Sequence, residues 1–485
     1  MAVQPDGKII VVASAGLEQR QDIALVRYNV DGSPDTEFGA QGLVRTDFFG
    51  DGDAGRAVAL QPDGKIVVLA RTIRPTDSSD GTGDQTSFAL VRYLPDGRLD
   101  ESFASDGKTS ADVQFGPLSS VALAPDGRIV VAGDAGFARL GMARFETDGT
   151  LDPTFDGDGI ALPAGGPNSA DFAGRGLEVQ PDGKILFGGY GCELTKCQRG
   201  PWLSRFNLDG SVDPSFVFRG VGFSTGYVTL TTPDDFELLP DGKLLLKGGN
   251  PNLTRLLADG RVDPTFGCNG GAGFDERFYP RAFGVERDGG VVLAGSTGGT
   301  GDSDFALLRR SPTGAPDVAF GDGKPVSTDF GGSDVAEDVA IAPDERIVVV
   351  GSSGATPTAS RVVVARYRSG EVHAGGLDCS PPSIRVLGIP RASCTRRDFT
   401  ARIRINDAST LRLVSVKIDH DGVRETTRKR FERRVDVHRL YPRVLHYLNV
   451  FATDEAGLDS RVSVPFRRCG PREAATLQPR GKTSG

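Results

Sequence analysis

The sequence predicts an all-β protein, a seven-bladed β-propeller of about 47–63-residue repeats followed by a smaller β-sandwich. Three observations predict it. A unit with two tight turns recurs seven times, each unit carries short β-type runs between its turns, and beyond residue 378 both texture and charge change. At 485 residues the chain exceeds what one hydrophobic core organises, and its 65 Gly and 30 Pro belong to a turn-rich protein. No apolar run is long enough for a spanning helix.

The first turn of each unit opens the chain as "QPDGKIIVV" at Gln4 and returns as "QPDGKIVVL", "APDGRIVVA", "QPDGKILFG" and "LPDGKLLLK". Its Asp recurs as Asp6, Asp63, Asp126, Asp182, Asp241, Asp288 and Asp344. A second turn follows at Asp31-Gly32, Asp96-Gly97, Asp148-Gly149, Asp209-Gly210, Asp259-Gly260, Thr313-Gly314 and Ser369-Gly370. The runs between, such as "AVALQ", "KIVVL", "FALVRY" and "GLVRTDF", have the hairpin signature, which makes four strands per unit. In the first turn Pro presets φ, Asp suits the next position and Gly takes the left-handed one. Arg287 stands where the Pro is expected and Glu345 where the Gly is expected. A left-handed Glu costs roughly 1 kcal/mol, so the seventh turn is expected to be distorted.

An Arg ends the third strand of every unit: Arg27, Arg92, Arg144, Arg205, Arg255, Arg309 and Arg366. Eight residues on comes an Asp in six of them, Asp35, Asp100, Asp152, Asp213, Asp263 and Asp317, and three further a Phe, from Phe38 to Phe320. That spacing suits an ion pair across the hairpin with the Phe as plug. A site used once does not need six copies, so these residues are read as structural staples.

The two motifs in fixed order, "QPDGKIVV" and "LDPTF", resemble the delta-60 repeat family of bacterial β-propeller-like proteins from Met1 to about Gly370. The resemblance implies the propeller fold and brings no catalytic residue or ligand. Unit one has only "MAV" before its first turn, and unit seven lacks the LDxxF motif and a fourth strand. A truncated start is the favoured reading, and it would also account for the missing signal peptide.

Residues 371–382 read as a linker, 383–470 as a β-sandwich of alternating segments, and 471–485 as a disordered tail. "FATDEAGLDS" makes the sandwich resemble bacterial Ig-like modules. Residues 379–470 hold 19 Lys and Arg against 10 Asp and Glu, whereas residues 1–378 carry a net charge of −19. The basic run of Arg424, Arg428, Lys429, Arg430, Arg433 and Arg434 reads first as a solvated hairpin edge and second as a contact to an anionic cell-wall polymer. Nucleic acid is not expected, because no recognised module accompanies the run.

None of the six Cys shows zinc spacing, so disulfides Cys192–Cys197 and Cys394–Cys469 are expected, with Cys268 and Cys379 either free or paired together. That points to an extracellular or cell-surface protein. Asp51, Asp53, Asp156 and Asp158 are weak Ca²⁺ candidates, and turn geometry explains them adequately. No cofactor is called for. All four His lie beyond the last complete repeat, and "GFSTG" at Gly222 lacks the following helix of a nucleophile elbow.

The expected function is therefore a non-catalytic binding or adhesion scaffold, not an enzyme and monomeric. Its contacts to a surface protein or glycan would lie on the face carrying the long loops from Arg71 and Gly189. The alternative is a propeller lyase or hydrolase working through carboxylates in the central channel. Such an enzyme needs acids in the channel-lining strands, whereas the acids that recur from unit to unit sit in turns.

Overall fold

The structure is a computed structural model, and it describes residues 1–17, 20–48, 52–74, 85–110, 120–134, 140–162, 173–192, 199–216, 233–248, 252–268, 270–274, 278–298, 303–354, 361–374, 383–390, 395, 397–407, 411–419, 424–441, 445–454 and 459–469. Two compact units result, Met1–Leu377 and Asp378–Gly485.

The first unit contains seven antiparallel sheets among the described residues, each a meander in which chain order is spatial order. The first sheet runs Ala2–Val3, Ile9–Leu17, Arg20–Tyr28 and Leu43–Thr46. The innermost strands of the others are Ala54–Leu60, Ser120–Leu123, Ala173–Val179, Pro233–Leu238, Phe278–Val285 and Ser333–Ile341. Each innermost strand touches the next, and Ser333–Ile341 touches Ala2–Val3. A shared core of Ile9, Val11, Ala342, Val348 and Val350 joins the last sheet to the first, as does the bond from the Met1 amino group to Asp338. The β-propeller class follows from this arrangement.

Why these residues fold this way is clearest at the turns. Gly7 has φ +83, and its N–H donates to the Gln4 carbonyl at 2.8 Å. In the seventh turn Glu345 takes φ +63 and makes the same 2.8 Å bond to Ala342. The distortion expected there is absent: the flanking hairpin overrides the left-handed penalty, and Glu345 carries the strain in its own backbone. Glu345→Gly is expected to stabilise the protein by about 1 kcal/mol in denaturant titration; unchanged stability would place the strain elsewhere.

The staple residues meet. Arg Nε donates to the Asp carboxylate at 2.7 Å for Arg27–Asp35 and Arg92–Asp100, 2.6 Å for Arg144–Asp152, and 2.8 Å for Arg205–Asp213 and Arg255–Asp263. Arg309 and Asp317 form the same pair. Each guanidinium stacks over the Phe of its unit, from 4.4 Å at Phe38 to 5.1 Å at Phe320. Two further contacts are not evident from spacing. Each Arg also donates to a carbonyl in the second turn of the next unit: Pro95, Thr147, Leu208, Ala258, Pro312 and Ser369 in turn. Arg366, which lacks the Asp eight residues on, bonds Asp344 instead and reaches Val30 of the first unit at 2.7 Å. The staple therefore clasps neighbouring sheets as well as closing its own hairpin.

The basic residue of the first turn joins in, with Lys8 at 2.9 Å from Asp35 and Lys184 at 2.8 Å from Asp213. Burial alone would raise the carboxyls of Asp100, Asp152 and Asp263. Hydrogen bonds from Ser102, Thr154 and Thr265 and the charges of Arg92, Arg144 and Arg255 outweigh it and hold them at about 2. Glu371 to Ala374, read from the sequence as the start of a linker, run back over the sixth sheet. Arg309 donates to the Glu371 carbonyl at 2.9 Å, and Asp317 accepts from the His373 N–H at 2.8 Å.

The second unit has two sheets. One holds Ser383–Leu387, Phe399–Asn406 and Arg430–Val435; the other holds Arg424–Thr426, Leu411–Ile418, Leu445–Asp454 and Asp459–Arg467. Alternate residues of Phe399–Asn406 point inward, so that Ala401, Ile403 and Ile405 share a core with Val414, Val416, Leu448 and Val450. The basic run lies on Arg424–Thr426 and Arg430–Val435, each an edge strand of its sheet. His446 is buried and satisfied at both nitrogens, by Asp419 and by the Tyr441 carbonyl.

Cys268 and Cys469 are each engaged in a disulfide. Cys379, Cys394, Cys197, Asp51, "GFSTG", His420 and the 471–485 tail lie outside the described residues, as do the tips of both long loops. No described helix is long and apolar enough to cross a membrane.

Candidate active site

The innermost strands can be aligned by their pairing with the second strand of each sheet. One step before the last pair, the innermost position is Ala2, Ala59, Ala122, Gly284 and Ala340 in five units. In the fourth and fifth units the same position is Glu178 and Glu237. Two neighbouring units thus carry an acid where the others have no side chain beyond a methyl group. Asp235 sits two residues before Glu237 on the same strand.

Local packing fixes these two strands against each other. The ring of Phe236 lies against Gly176, where a Cβ would come within 2.3 Å of a ring carbon. Phe236 shares a core with Leu186 and Leu203 of the fourth sheet. Because side chains alternate along a strand, burying Phe236 on that side sends Glu237 and Asp235 to the other. There the Glu237 carboxyl meets the N–H of Val285, on the innermost strand of the sixth sheet.

The electrostatics set these groups apart from the staples. Burial, then the charge of Asp235, raises Glu178 to about 7. Burial, then the charges of Glu178 and Asp235, raises Glu237 to about 8, against the Val285 hydrogen bond that lowers it. A staple Asp is buried beside a guanidinium and is fully ionised, while these carboxyls are half-buried beside other carboxyls and hold protons near neutrality. Carboxyls that hold protons near neutrality among other acids are candidates for a functional site.

Each longer innermost strand also carries a bulge, and the extra residue is charged: Arg56, Arg175, Asp234, Arg281 and Glu337. Bulges break the pairing and re-aim a residue. Arg281 and Glu337 bond to each other across the sixth and seventh strands at 3.1 Å.

Of the residues singled out from sequence as Ca²⁺ candidates, Asp156 and Asp158 are exposed turn residues, and Asp158 accepts from the Ile160 N–H at 2.9 Å. Asp53 is buried and accepts from the Phe48 N–H at 2.6 Å. Neither Glu178 nor Glu237 was picked out from sequence. The signal was present: each lies two residues before the first residue of a "QPDG"-type turn, where the other units have Ala or Gly.

The family described as a domain of unknown function (DUF5122) beta-propeller matches residues 4–38, 61–103, 124–155 and 180–216. Those four segments are similar to propeller repeats. No curated protein sequence matches it. Its fold is similar to that of a Dyadobacter fermentans protein of unknown function, at 10% identity and TM-score 0.39, covering 76% of this chain and 92% of that one. It is also similar to a Fusarium graminearum α-L-arabinofuranosidase, at 9% identity and TM-score 0.37, covering 64% and 92%. A polysaccharide lyase follows at 13% identity and TM-score 0.31, covering 84% and 86%. These are likenesses of fold.

The expectation of a non-catalytic binding scaffold that is not an enzyme is corrected here. Glycoside hydrolases and a polysaccharide lyase stand among the solved structures of similar fold, a likeness of fold alone. The innermost strands also hold the unrepeated acids whose apparent lack was the reason for that expectation.

Proposed function

We propose that the first unit is a seven-bladed β-propeller of the delta-60 type, that it cleaves glycosidic bonds in its central channel, and that Glu178 and Glu237 are the two catalytic carboxyls. The observation that carries this reading is the pair itself: two acids at the innermost-strand position that is otherwise Ala or Gly, each raised into the neutral range by burial and by neighbouring carboxylates. Glycoside hydrolysis needs one carboxylic acid to protonate the leaving oxygen and one carboxylate to activate water or to attack the anomeric carbon. Glu237, raised further, is the proton donor, and Glu178 is the carboxylate partner. Asp235 keeps both high by repulsion.

We further propose that the sandwich is Ig-like and that the protein works outside the cytoplasm, which the bonded Cys268 and Cys469 support. The basic edge, exposed at Arg430 and Arg434, suits an anionic wall polymer. The test of the catalytic reading is reducing-sugar release from a broad panel of plant, algal and microbial polysaccharides and aryl glycosides, run beside the Glu178→Gln, Glu237→Gln double variant. Release by the wild type alone is expected; equal release by both would sink the assignment.

A further inference from the structure

A second acidic group lies at the link between the sixth and seventh sheets, away from the channel pair. Asp304 begins the strand Asp304–Arg310, Asp329 follows Val326–Thr328, and Asp334 lies at the start of Ser333–Ile341. A carboxylate oxygen from each lies within 4.8 Å of the others. Three negative charges at that separation repel one another unless a cation lies among them.

Asp334 is the second and independent observation. Its side chain is fully buried, its N–H donates to the Ser303 carbonyl at 2.6 Å, and its Oδ2 accepts from the Phe330 N–H at 2.6 Å. Its Oδ1 is buried with no hydrogen-bond donor among the described residues. Buried anionic oxygens are otherwise matched by a donor or a cation, so this one calls for a partner the described residues do not supply.

We propose that Asp304, Asp329 and Asp334 bind a calcium ion that ties the sixth sheet to the seventh. The donor set is oxygen only and carries three charges, which suits a hard cation and not zinc or copper. Asp329 is exposed, so water completes the shell on that side. Calcium accepts the irregular geometry of a strand start, a strand end and a link loop, whereas magnesium demands a near-ideal octahedron.

Among the described residues the same frame recurs once. Asp22 holds the place of Asp304 on the strand Arg20–Tyr28, Asp47 follows Leu43–Thr46 as Asp329 follows Val326–Thr328, and buried Asp53 precedes the next innermost strand. Asp53 accepts from the Phe48 N–H at 2.6 Å and donates its own N–H to the Gln21 carbonyl at 2.6 Å, matching both bonds of Asp334. A turn-forming role does not require two such frames at links between sheets.

The test uses the full chain, freed of metal with EGTA and titrated with calcium chloride, read by calorimetric binding and by melting temperature. About 1 mM calcium is expected to raise Tm by on the order of 5 °C. Asp304→Asn and Asp329→Asn are each expected to weaken calcium binding about tenfold or more and to remove much of the rise. Asp329 is exposed, so its variant keeps the test open should Asp304→Asn fail to fold. In EGTA, Asp329→Asn is expected to melt no lower than the wild type, because it relieves repulsion. A calcium response absent from the wild type, or unchanged in both variants, would overturn the site, and an equal response to magnesium would overturn its assignment to calcium. These readouts do not depend on glycoside cleavage.

Discussion

Glu237→Gln and Glu178→Gln are each expected to lower kcat on a cleaved glycoside by about 10²–10⁴-fold, the usual contribution of a positioned acid or base. A full pH profile separates the two roles. The acidic limb reports the group that must be ionised, Glu178 at about 7, and the basic limb the group that must keep its proton, Glu237 at about 8. The bell should therefore centre between those values, and a Gln at 237 should remove the basic limb. Activity that survives at wild-type level in either variant would exclude that residue.

Stability supplies a check free of substrate. Both carboxyls sit above the ordinary value of 4.5 in the folded chain, so the fold favours their protonated form. That contribution is fully present below about pH 4.5 and is lost as pH rises through 7 and 8. The melting temperature of the wild type should fall across this window, and that of Glu237→Gln should fall less. The opposite slope would mean that the two groups are paired with cations.

The second large effect is expected at a staple. Arg144→Ala leaves Asp152, fully buried, with only the more distant Arg128 guanidinium at 3.3 Å, and removes the donor to the Leu208 carbonyl and the cover over Phe155. Stranding one partner of a buried ion pair costs about 3–5 kcal/mol. Thermal unfolding is the measurement, with a loss on the order of 10 °C expected. Asp152 has its folded value lowered to about 2, so the pair stabilises above about pH 4 and that stability fades as pH falls toward 2. The deficit of Arg144→Ala should narrow in acid. A variant as stable as the wild type at neutral pH would make the pair ornamental.

How much of this was legible depended on the range of the interaction. The turns were readable because Pro, Asp and Gly act within four residues. Glu345 shows the limit of that reasoning: its local penalty is real, yet the pairing of Ser333–Ile341 with Ile347–Gly354 imposes the turn. The staple pairs were readable because Arg and Asp lie eight residues apart in six of the seven copies. Their reach into the next unit was not, since Arg144 and Leu208 are separated by a whole repeat.

By itself the sequence determined the repeat, its hairpins and its internal ion pairs, since each is decided within one unit by short-range chemistry copied six or seven times. Only the tertiary structure singled out the proposed catalytic pair. Glu178 and Glu237 each look like one acid in a hydrophobic strand. Packing the sheets in sequence brings those strands side by side, and burial and neighbouring carboxylates then raise two unremarked acids into the range where they can trade protons.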